Sequence, residues 1–565
     1  MPIIRSGKID PMEKPKIVII GSGASASQAA LTLLESDHKV LMLDIGIEDP
    51  DVPLPHCSFA ELIERLEDPY RYFLGNNFEG VVFPFNETLY VYPPNRKYLA
   101  PPNGILTPWR SNGFKAYLSH ARGGLGVGWG GNCLEYDDQD FKNFPITRQA
   151  LLEGYRIAGN RIGVCGTERD ELGACLPSSI TLQEPLRLNA HETCIYETYQ
   201  RRVDFFRSKF GFRMGRARMA VLTQNRNERK ACIYCSRCIW GCGQKSIYDP
   251  RQTIEECKSY STFQYRSGFL VTELVPENNR VKSIAGIDLS KKTQEEIPAD
   301  IVILGAGAVN SGAIFLRTLR SDPGLRIYWQ NHRLASKSIF DTKVIRIPYI
   351  LWKMIGRAAD DKDFQFNKLN AGFIRVEKKE DPLYIHGELI SFNGLLVHPL
   401  INHMPFGYRT NIHIFKKVRA ALGALTLFLP DRPSNGNRLK LERDDESLTR
   451  DRICIEYQEP DFVTQLAKEM INKSRSVLKK LGGIVRSADI AMYPSGSGMH
   501  YAGTIPMLDR QDPLAVDPDC RSYRYKNLFV VDGAVFPELP SRSITFTLMA
   551  NAIRVAGIIA KNPDN

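Results

Sequence analysis

Lys16-Ile17-Val18-Ile19-Ile20-Gly21-Ser22-Gly23-Ala24-Ser25-Ala26, followed by Lys39–Leu43 and Asp44, is the stretch that decides the fold. The β-branched run reads as a buried strand, the glycines as a tight turn, Gln28–Leu34 as a helix, and Lys39–Leu43 as a second strand. The spacing is G-x-G-x-x-G/A with Ala26 in third place. Gly21 permits the turn, and Gly23 lets the amides around Ala24 and Ser25 approach a pyrophosphate at the helix N-terminus. Asp44 closes the second strand 23 residues after Gly21, where a carboxylate accepts hydrogen bonds from a ribose. A lone glycine pattern is weak, but here strand, helix and acid are all in place. The alternative is a turn in an unrelated α/β domain, and these residues alone do not separate FAD from NAD.

Outward from this unit, residues 147–160 read as a helix, with Ile146, Leu151, Leu152 and Tyr155 on one face. Phe269–Leu274 and Val281–Leu289 read as strands, Lys291–Gln294 as a polar turn, and Ile301–Leu304 as a buried run. Between about 335 and 455 the pattern changes to aromatic and β-branched runs broken by Pro, Gly and Asn, as in Pro382–Phe392 and Leu425–Arg443, which suggests an antiparallel sheet. Asp461–Leu481 is an amphipathic helix ended by Gly482-Gly483, and Thr545–Lys561 is a second apolar helix. The fold class expected is α/β: a Rossmann-like nucleotide domain assembled from discontinuous segments around a substrate domain built on an antiparallel sheet. The boundaries expected are 15–56, 110–165, 215–330 and 485–565 for the first, and 57–109, 166–214 and 331–484 for the second.

The 565 residues suffice for about two domains. Hydrophobic content of 43% and charged content of 24% suit a globular chain and exclude a disordered or fibrous one. A formal charge of +11 could favour anionic substrates or membrane surfaces, but the basic residues are dispersed. The densest clusters, Arg226–Lys230 and Lys416–Arg419, make no nucleic-acid module. Met1–Pro15 has no apolar run of a secretory signal, and Ala420–Pro430 is too short to span a bilayer. The expectation is a cytoplasmic protein without membrane association.

Four further segments bear on the cofactor. They are Ile45-Gly46; the glycine-dense Gly123-Gly124-Leu125-Gly126-Val127-Gly128-Trp129-Gly130-Gly131-Asn132; Ala299–Ala308 with Gly305 and Gly307; and His500-Tyr501-Ala502-Gly503-Thr504 through Asn527–Pro537. So many glycines let backbone lie against a flat ring or a phosphate. In order and spacing these segments resemble the glucose–methanol–choline (GMC) flavoprotein family, over about 15–56, 110–165, 265–315 and 495–562. The middle resembles the family loosely, through Phe428–Pro433 and Asn437-Arg438.

The resemblance implies FAD, and a six-stranded antiparallel sheet roofing the flavin. It implies that Val271 presents backbone to the adenine, that Asp532 holds the ribityl or phosphate region, and that Gly533 and Ala534 lie near the isoalloxazine ring. Gly124, Gly126, Trp129, Gly131, Asn132, Gly305 and Thr545 join the expected cofactor-binding residues. The family's covalent attachment point, a His four residues after the second Gly of Gly-Gly, corresponds to Gly128. Glycine has no nucleophile, so FAD is expected to bind non-covalently.

Moving a hydride from an alcohol carbon to flavin N5 leaves a hydroxyl proton for a base within hydrogen-bond reach. The resemblance gives that role to His500 of His-x-x-Gly-Thr, and a neutral imidazole titrating near neutrality suits it. The family's second group, usually Asn of Asn-Pro, aligns with Ser543-Ile544, a departure that puts the substrate class in question. Ser543 could donate to or accept from the substrate oxygen, or merely cap the last helix. Arg542 could face the pocket and favour an anionic or carbonyl group.

Cys232, Cys235, Cys238 and Cys242 form C-x2-C-x2-C-x3-C, the ferredoxin spacing with Gly243 in place of Pro. An iron–sulfur cluster is the metal expectation, and structural zinc usually spreads its ligands further apart. A disulfide and free buried thiols are the alternatives. The function expected is an FAD-dependent dehydrogenase of alcohols or sugars, with a possible electron-acceptor protein as partner. A peroxide-producing oxidase, a non-redox flavin-bound protein with a degenerate catalytic pair, and an NAD enzyme compete with it; the C-terminal segment argues against the last.

Overall fold

The computed structural model describes residues 17–48, 59–78, 80, 92–101, 106–176, 178–331, 334–360, 362–376, 382–392, 401 and 404–562. The reading of Met1–Pro15 and part of the segment 57–109 lie outside them.

The opening motif forms the centre of a five-stranded parallel sheet, in the order Leu528–Val530, Ile301–Leu304, Ile17–Ile20, Val40–Leu43, Phe263–Arg266. Every residue of Ile17–Ile20 and Ile301–Leu304 is buried, because helices cover both faces of such a sheet and leave no polar side. The motif helix spans Ala24–Leu34 and packs on the C-terminal helix Thr545–Lys561. Helix Leu152–Ile162 also crosses the C-terminal helix, so closely that a Cβ on Gly154 would stand 2.2 Å from the Ala550 carbonyl oxygen.

A three-stranded antiparallel sheet follows, Phe269–Glu277, Arg280–Asp288 and Thr293–Pro298. Its third strand begins inside the stretch expected as a polar turn. Gln294, Glu295 and Glu296 hide it, since an edge strand facing water tolerates residues of low strand propensity.

The middle of the chain forms a sheet of seven strands, all antiparallel, rather than the six that the resemblance implies. Five long strands run in the order Lys343–Leu351, Leu422–Leu429, Pro382–Ser391, Leu369–Val376, Phe212–Arg216. Two short pieces, Gly483–Ile484 and Ala491–Met492, both pair with Lys343–Leu351. Side chains alternate between faces along a strand. Ile345, Ile347, Leu389, Leu425 and Leu427 point into a core with Val463, Leu466 and Met470 of helix Asp461–Lys480. The opposite face, with Arg346, Glu388, Thr426 and Phe428, looks into the main cleft.

The run Leu425–Arg443 is therefore two strands. Pro430 and Pro433 interrupt it, and Arg438–Arg443 joins a second small sheet with Asp451–Glu456 and Trp109–Asn112. Leu439, Ile453 and Ile455 of that sheet pack into the core of the nucleotide layer. A buried ion pair, Arg317 to Asp451 at 2.8 Å, ties it to helix Ala308–Ser321.

Candidate active site

A long cleft runs from the ends of Ile17–Ile20 and Ile301–Leu304 to the polar face of the antiparallel sheet. Gly21 opens it with φ +93°, and a Cβ there would stand 2.5 Å from the Gly305 carbonyl oxygen, so only glycine lets the two turns touch. Ala26 does not face the cleft as expected. It packs behind Gly305, where a Cβ built on Gly305 would meet the Ala26 methyl at 3.0 Å. Its role is close helix–strand packing.

Gly23 and Gly307 are the N-caps of helices Ala24–Leu34 and Ala308–Ser321, and neither helix has a side-chain cap. A Cβ on either glycine would meet nothing within 4 Å. Both helix N-termini thus present backbone N–H groups beside open space, the arrangement that binds phosphate oxygens. Asp44 lies on the cleft wall, accepting from the Ser22 hydroxyl and from Tyr265 Oη at 2.9 Å. Burial pushes its carboxyl up to about 6, opposed by those hydrogen bonds and by Arg122. These residues fit the phosphates and ribose of FAD.

The glycine-dense run lines the same cleft through Gly124, Gly126, Trp129, Gly131 and Asn132. Gly126 is also required by packing, since a Cβ would lie 2.7 Å from Pro250 Cγ. Trp129 Nε1 donates to the Tyr248 carbonyl at 2.6 Å, which fixes its ring against the wall. Val271, Gly305, Gly533 and Thr545 line the cleft as well. Asp532 lies there too, but its carboxylate accepts from Gly307 N at 2.8 Å and Ala534 N at 2.9 Å. It pins two cofactor loops to each other. Ala534 is buried behind it and does not reach the cleft, because its amide is turned back to that carboxylate.

At the far end, His500 and Ser543 face the cleft together. The loop carrying His500 is held by buried Asp341, whose two carboxylate oxygens accept from Gly498 N and His500 N at 2.7 Å each. Met499 sits at φ +59°, a left-handed turn that aims the next side chain. His500 Nδ1 is 2.8 Å from Thr342 Oγ1, and the Phe428 ring lies 5.7 Å from the imidazole. Removal from bulk water lowers the imidazole to about 4, well below the near-neutral value anticipated from sequence. It is therefore neutral at physiological pH. Ser543 makes no side-chain hydrogen bond among the described residues, and Ile544 rather than Ser543 is the N-cap of the last helix. The hydroxyl is not engaged in capping.

Arg542 turns away from the cleft. Its side chain is 1% exposed, ion-paired to Asp137 and, at 2.8 Å, to Asp140, and it lies 4.9 Å from the Tyr384 ring centroid. It is structural and does not select anionic substrates.

Cys232, Cys235, Cys238 and Cys242 converge on one small apolar cavity, remote in sequence from the catalytic loops. The structure does not bear out a ready-made metal site. All four are free thiols, and no group of three or more His, Cys, Asp or Glu among the described residues is placed to hold a metal ion. Burial pushes the Cys232 thiol up to about 12 and raises Cys235 and Cys238, so these three carry their protons.

Sequence reading missed Arg346 and Glu388, which face the same cleft. The available signal was period-two alternation in Lys343–Leu351 and Pro382–Ser391, where polar residues interrupt apolar runs.

Residues 433–552 match the family model described as GMC oxidoreductase. The chain is 22% identical to paromamine 6'-oxidase of Streptomyces fradiae over 568 residues, 96% of this chain and 91% of that protein. It is 21% identical to 6'''-hydroxyparomomycin C oxidase of Streptomyces lividus, over 97% and 91% of the two chains. Among solved structures, pyridoxine 4-oxidase from Mesorbium loti superposes with a TM-score of 0.57 at 15% identity, covering 96% of this chain and 98% of that one. A formate oxidase superposes with a TM-score of 0.59 at 12% identity, over 98% and 100%. The fold, the matched C-terminal segment and the relatives of nearly full length agree: residues 433–552 carry the GMC oxidoreductase model, and along nearly its whole length the chain is similar to oxidases of this kind.

Proposed function

We propose that the protein oxidises an alcohol carbon of a small polyhydroxylated substrate, with His500 as the base that takes the hydroxyl proton. The observation that carries this reading is the neutral imidazole on the cleft wall, engaged at Nδ1 by Thr342, in a cleft that the uncommitted Ser543 hydroxyl also lines. Nδ1–H donating to Thr342 Oγ1 leaves the Nε2 lone pair to receive the proton. Ser543 orients the same oxygen, and the cleft walls exclude bulk water. FAD, when bound, supplies the hydride acceptor. The names of the Streptomyces relatives, a paromamine 6'-oxidase and a 6'''-hydroxyparomomycin C oxidase, support a substrate of that class. Stopped-flow reduction of the flavin by paromamine and by simple alcohols tests the reading.

Gly128, at the position of the family's covalent attachment, lies on the cleft wall. Acid or heat precipitation is expected to leave all yellow colour in the supernatant; colour in the pellet would show a covalent bond.

A second reading concerns the electron acceptor. The Tyr234 amide donates to the Cys232 sulfur, and the Arg237 amide donates to Cys235. The intervening Tyr234 and Ser236 adopt φ +56° and +58°, which folds the loop around its thiols. Amides aimed at sulfur stabilise thiolates once a cation arrives. An iron–sulfur cluster is the metal group whose ligand spacing the four cysteines match. With it, the enzyme would be a dehydrogenase serving a carrier protein; without it, an oxidase using oxygen. Anaerobic purification with iron and acid-labile sulfide assays decides: several irons per chain are expected, and well below one iron with peroxide release means an oxidase. A cytoplasmic location, where thiols stay reduced, belongs to the same proposal and rests on the eleven free cysteines described.

A further inference from the structure

The cleft face of the antiparallel sheet carries a row of polar residues set by strand register. Arg346 pairs with Thr426, Thr426 with Glu388, and Glu388 with Asn370. Neighbouring strands lie about 4.8 Å apart, which puts Arg346 and Glu388 roughly 10 Å from each other across Thr426. That is the spacing of their backbones, and no ion pair joins the two side chains among the described residues.

Neither has a partner of opposite full charge among the described residues. Glu388 accepts from Asn132 Nδ2 at 2.9 Å through Oε1, and the same oxygen lies 3.7 Å from His386 Nε2. Oε2 has no hydrogen bond among the described residues. Arg346 reaches only Thr426 Oγ1, at 3.5 Å, and the Tyr493 ring, at 5.6 Å. The Glu388 side chain is 13% exposed, and what remains exposed opens on the cleft. A carboxylate with one oxygen open to the cleft and no cation beside it offers a charge-assisted hydrogen bond to a cationic ligand group.

The place of this carboxylate relative to the chemistry is also fixed. Phe428 lies between His386 and His500, with ring centroids 5.9 Å and 5.7 Å away. Glu388 is near enough for its charge to act on His500. A cation on Glu388 would therefore lie within a sugar ring's reach of the reacting hydroxyl.

We infer that Glu388 binds an ammonium group of the substrate, while Arg346 donates to its hydroxyl or ring oxygens on the far side of Thr426. The substrate class is an amino alcohol, most simply an aminated sugar. Glu388 is a specificity residue, and the inference rests on the proposed CH–OH oxidation at His500.

The test uses the FAD-loaded enzyme with two probes, paromamine and its fully N-acetylated derivative, which keeps the hydroxyls and loses the charges. Binding is measured by calorimetry at pH 7, and flavin reduction anaerobically. Wild-type enzyme is expected to bind paromamine at least about tenfold more tightly. Glu388→Gln keeps an oxygen for Asn132 and removes the charge. It should weaken paromamine binding by about 10–100-fold and bring the ratio of the two affinities toward one, as expected for a charge-assisted hydrogen bond. Glu388→Asp should restore part of the preference, which a merely structural role would not do. Equal or absent binding of both probes by wild-type enzyme overturns the inference, as does a preference that survives in Glu388→Gln. Should Glu388→Gln fail to load FAD, the wild-type ratio and Glu388→Asp decide. A preference seen in binding without flavin reduction would count against the oxidation reading and leave the ammonium site standing.

Discussion

His500→Ala is expected to slow flavin reduction by about a hundredfold or more, the usual contribution of a positioned general base. FAD content should be largely kept, because the phosphate and ribose sites at Gly23, Gly307 and Asp44 lie at the other end of the cleft. Ser543→Ala should cost less, since water can replace a hydroxyl that orients without taking the proton. The pH profile carries a second signature. Burial holds the imidazole at about 4, so the base stays deprotonated through neutrality and is lost only as pH falls through that value. Flavin reduction, measured after a rapid pH jump, should be flat from about pH 8 to 6 and fall with a midpoint near 4. An ordinary histidine would lose half its basic form near pH 6.5. An unchanged reduction rate in His500→Ala would refute the assignment.

Arg542→Ala is expected to destabilise the fold by about 3–5 kcal/mol, the range for breaking a buried ion pair from one side. The guanidinium donates to the Glu135 carbonyl at 2.6 Å and neutralises Asp137 and Asp140. Asp140 is the decisive partner. Burial already pushes its carboxyl up to about 7, against the pull of Arg542, and removing the cation would raise it further. The variant's folded state must then keep Asp140 protonated, which is harder at high pH. The deficit in urea unfolding should therefore be larger at pH 8 than at pH 5.5. A loss below about 1 kcal/mol at pH 8 would contradict this account of the residue. Since Arg542 precedes Ser543, some loss of activity should accompany the loss of stability.

The nucleotide half was legible because its residues answer local demands. Gly21 is needed where two turns touch, and the uncapped helix starts at Gly23 and Gly307 show up as glycines. The final helix runs over Thr545–Lys561 as anticipated, since its apolar periodicity is long and unbroken. Leu425–Arg443 was misjudged because a run of strand-forming residues does not reveal that the chain leaves one sheet for another at Pro430 and Pro433. Strand Thr293–Pro298 was missed for the opposite reason, being an exposed edge written in turn-like residues.

In the site, His500 and the glycines were recognisable from motifs. Glu388 and Arg346 were not, because only register across strands distant in sequence sets them in one row. That Arg542 could face the pocket follows from its proximity to Ser543, but adjacent residues leaving a turn point in different directions, and its carboxylate partners lie about 400 positions earlier. The four cysteines of the expected cluster line one cavity, but their spacing in sequence does not say whether their sulfurs approach closely enough to ligate, and no group among the described residues is placed to hold a metal.

The most direct test of the central claim is the visible spectrum of the purified protein, followed anaerobically during addition of paromamine and a panel of simple alcohols and sugars. The account predicts oxidised-flavin bands that bleach with at least one CH–OH donor in the wild-type enzyme and bleach about a hundredfold or more slowly in His500→Ala. Flavin bands that no alcohol or sugar bleaches, or bleaching at the same rate in His500→Ala, would contradict it.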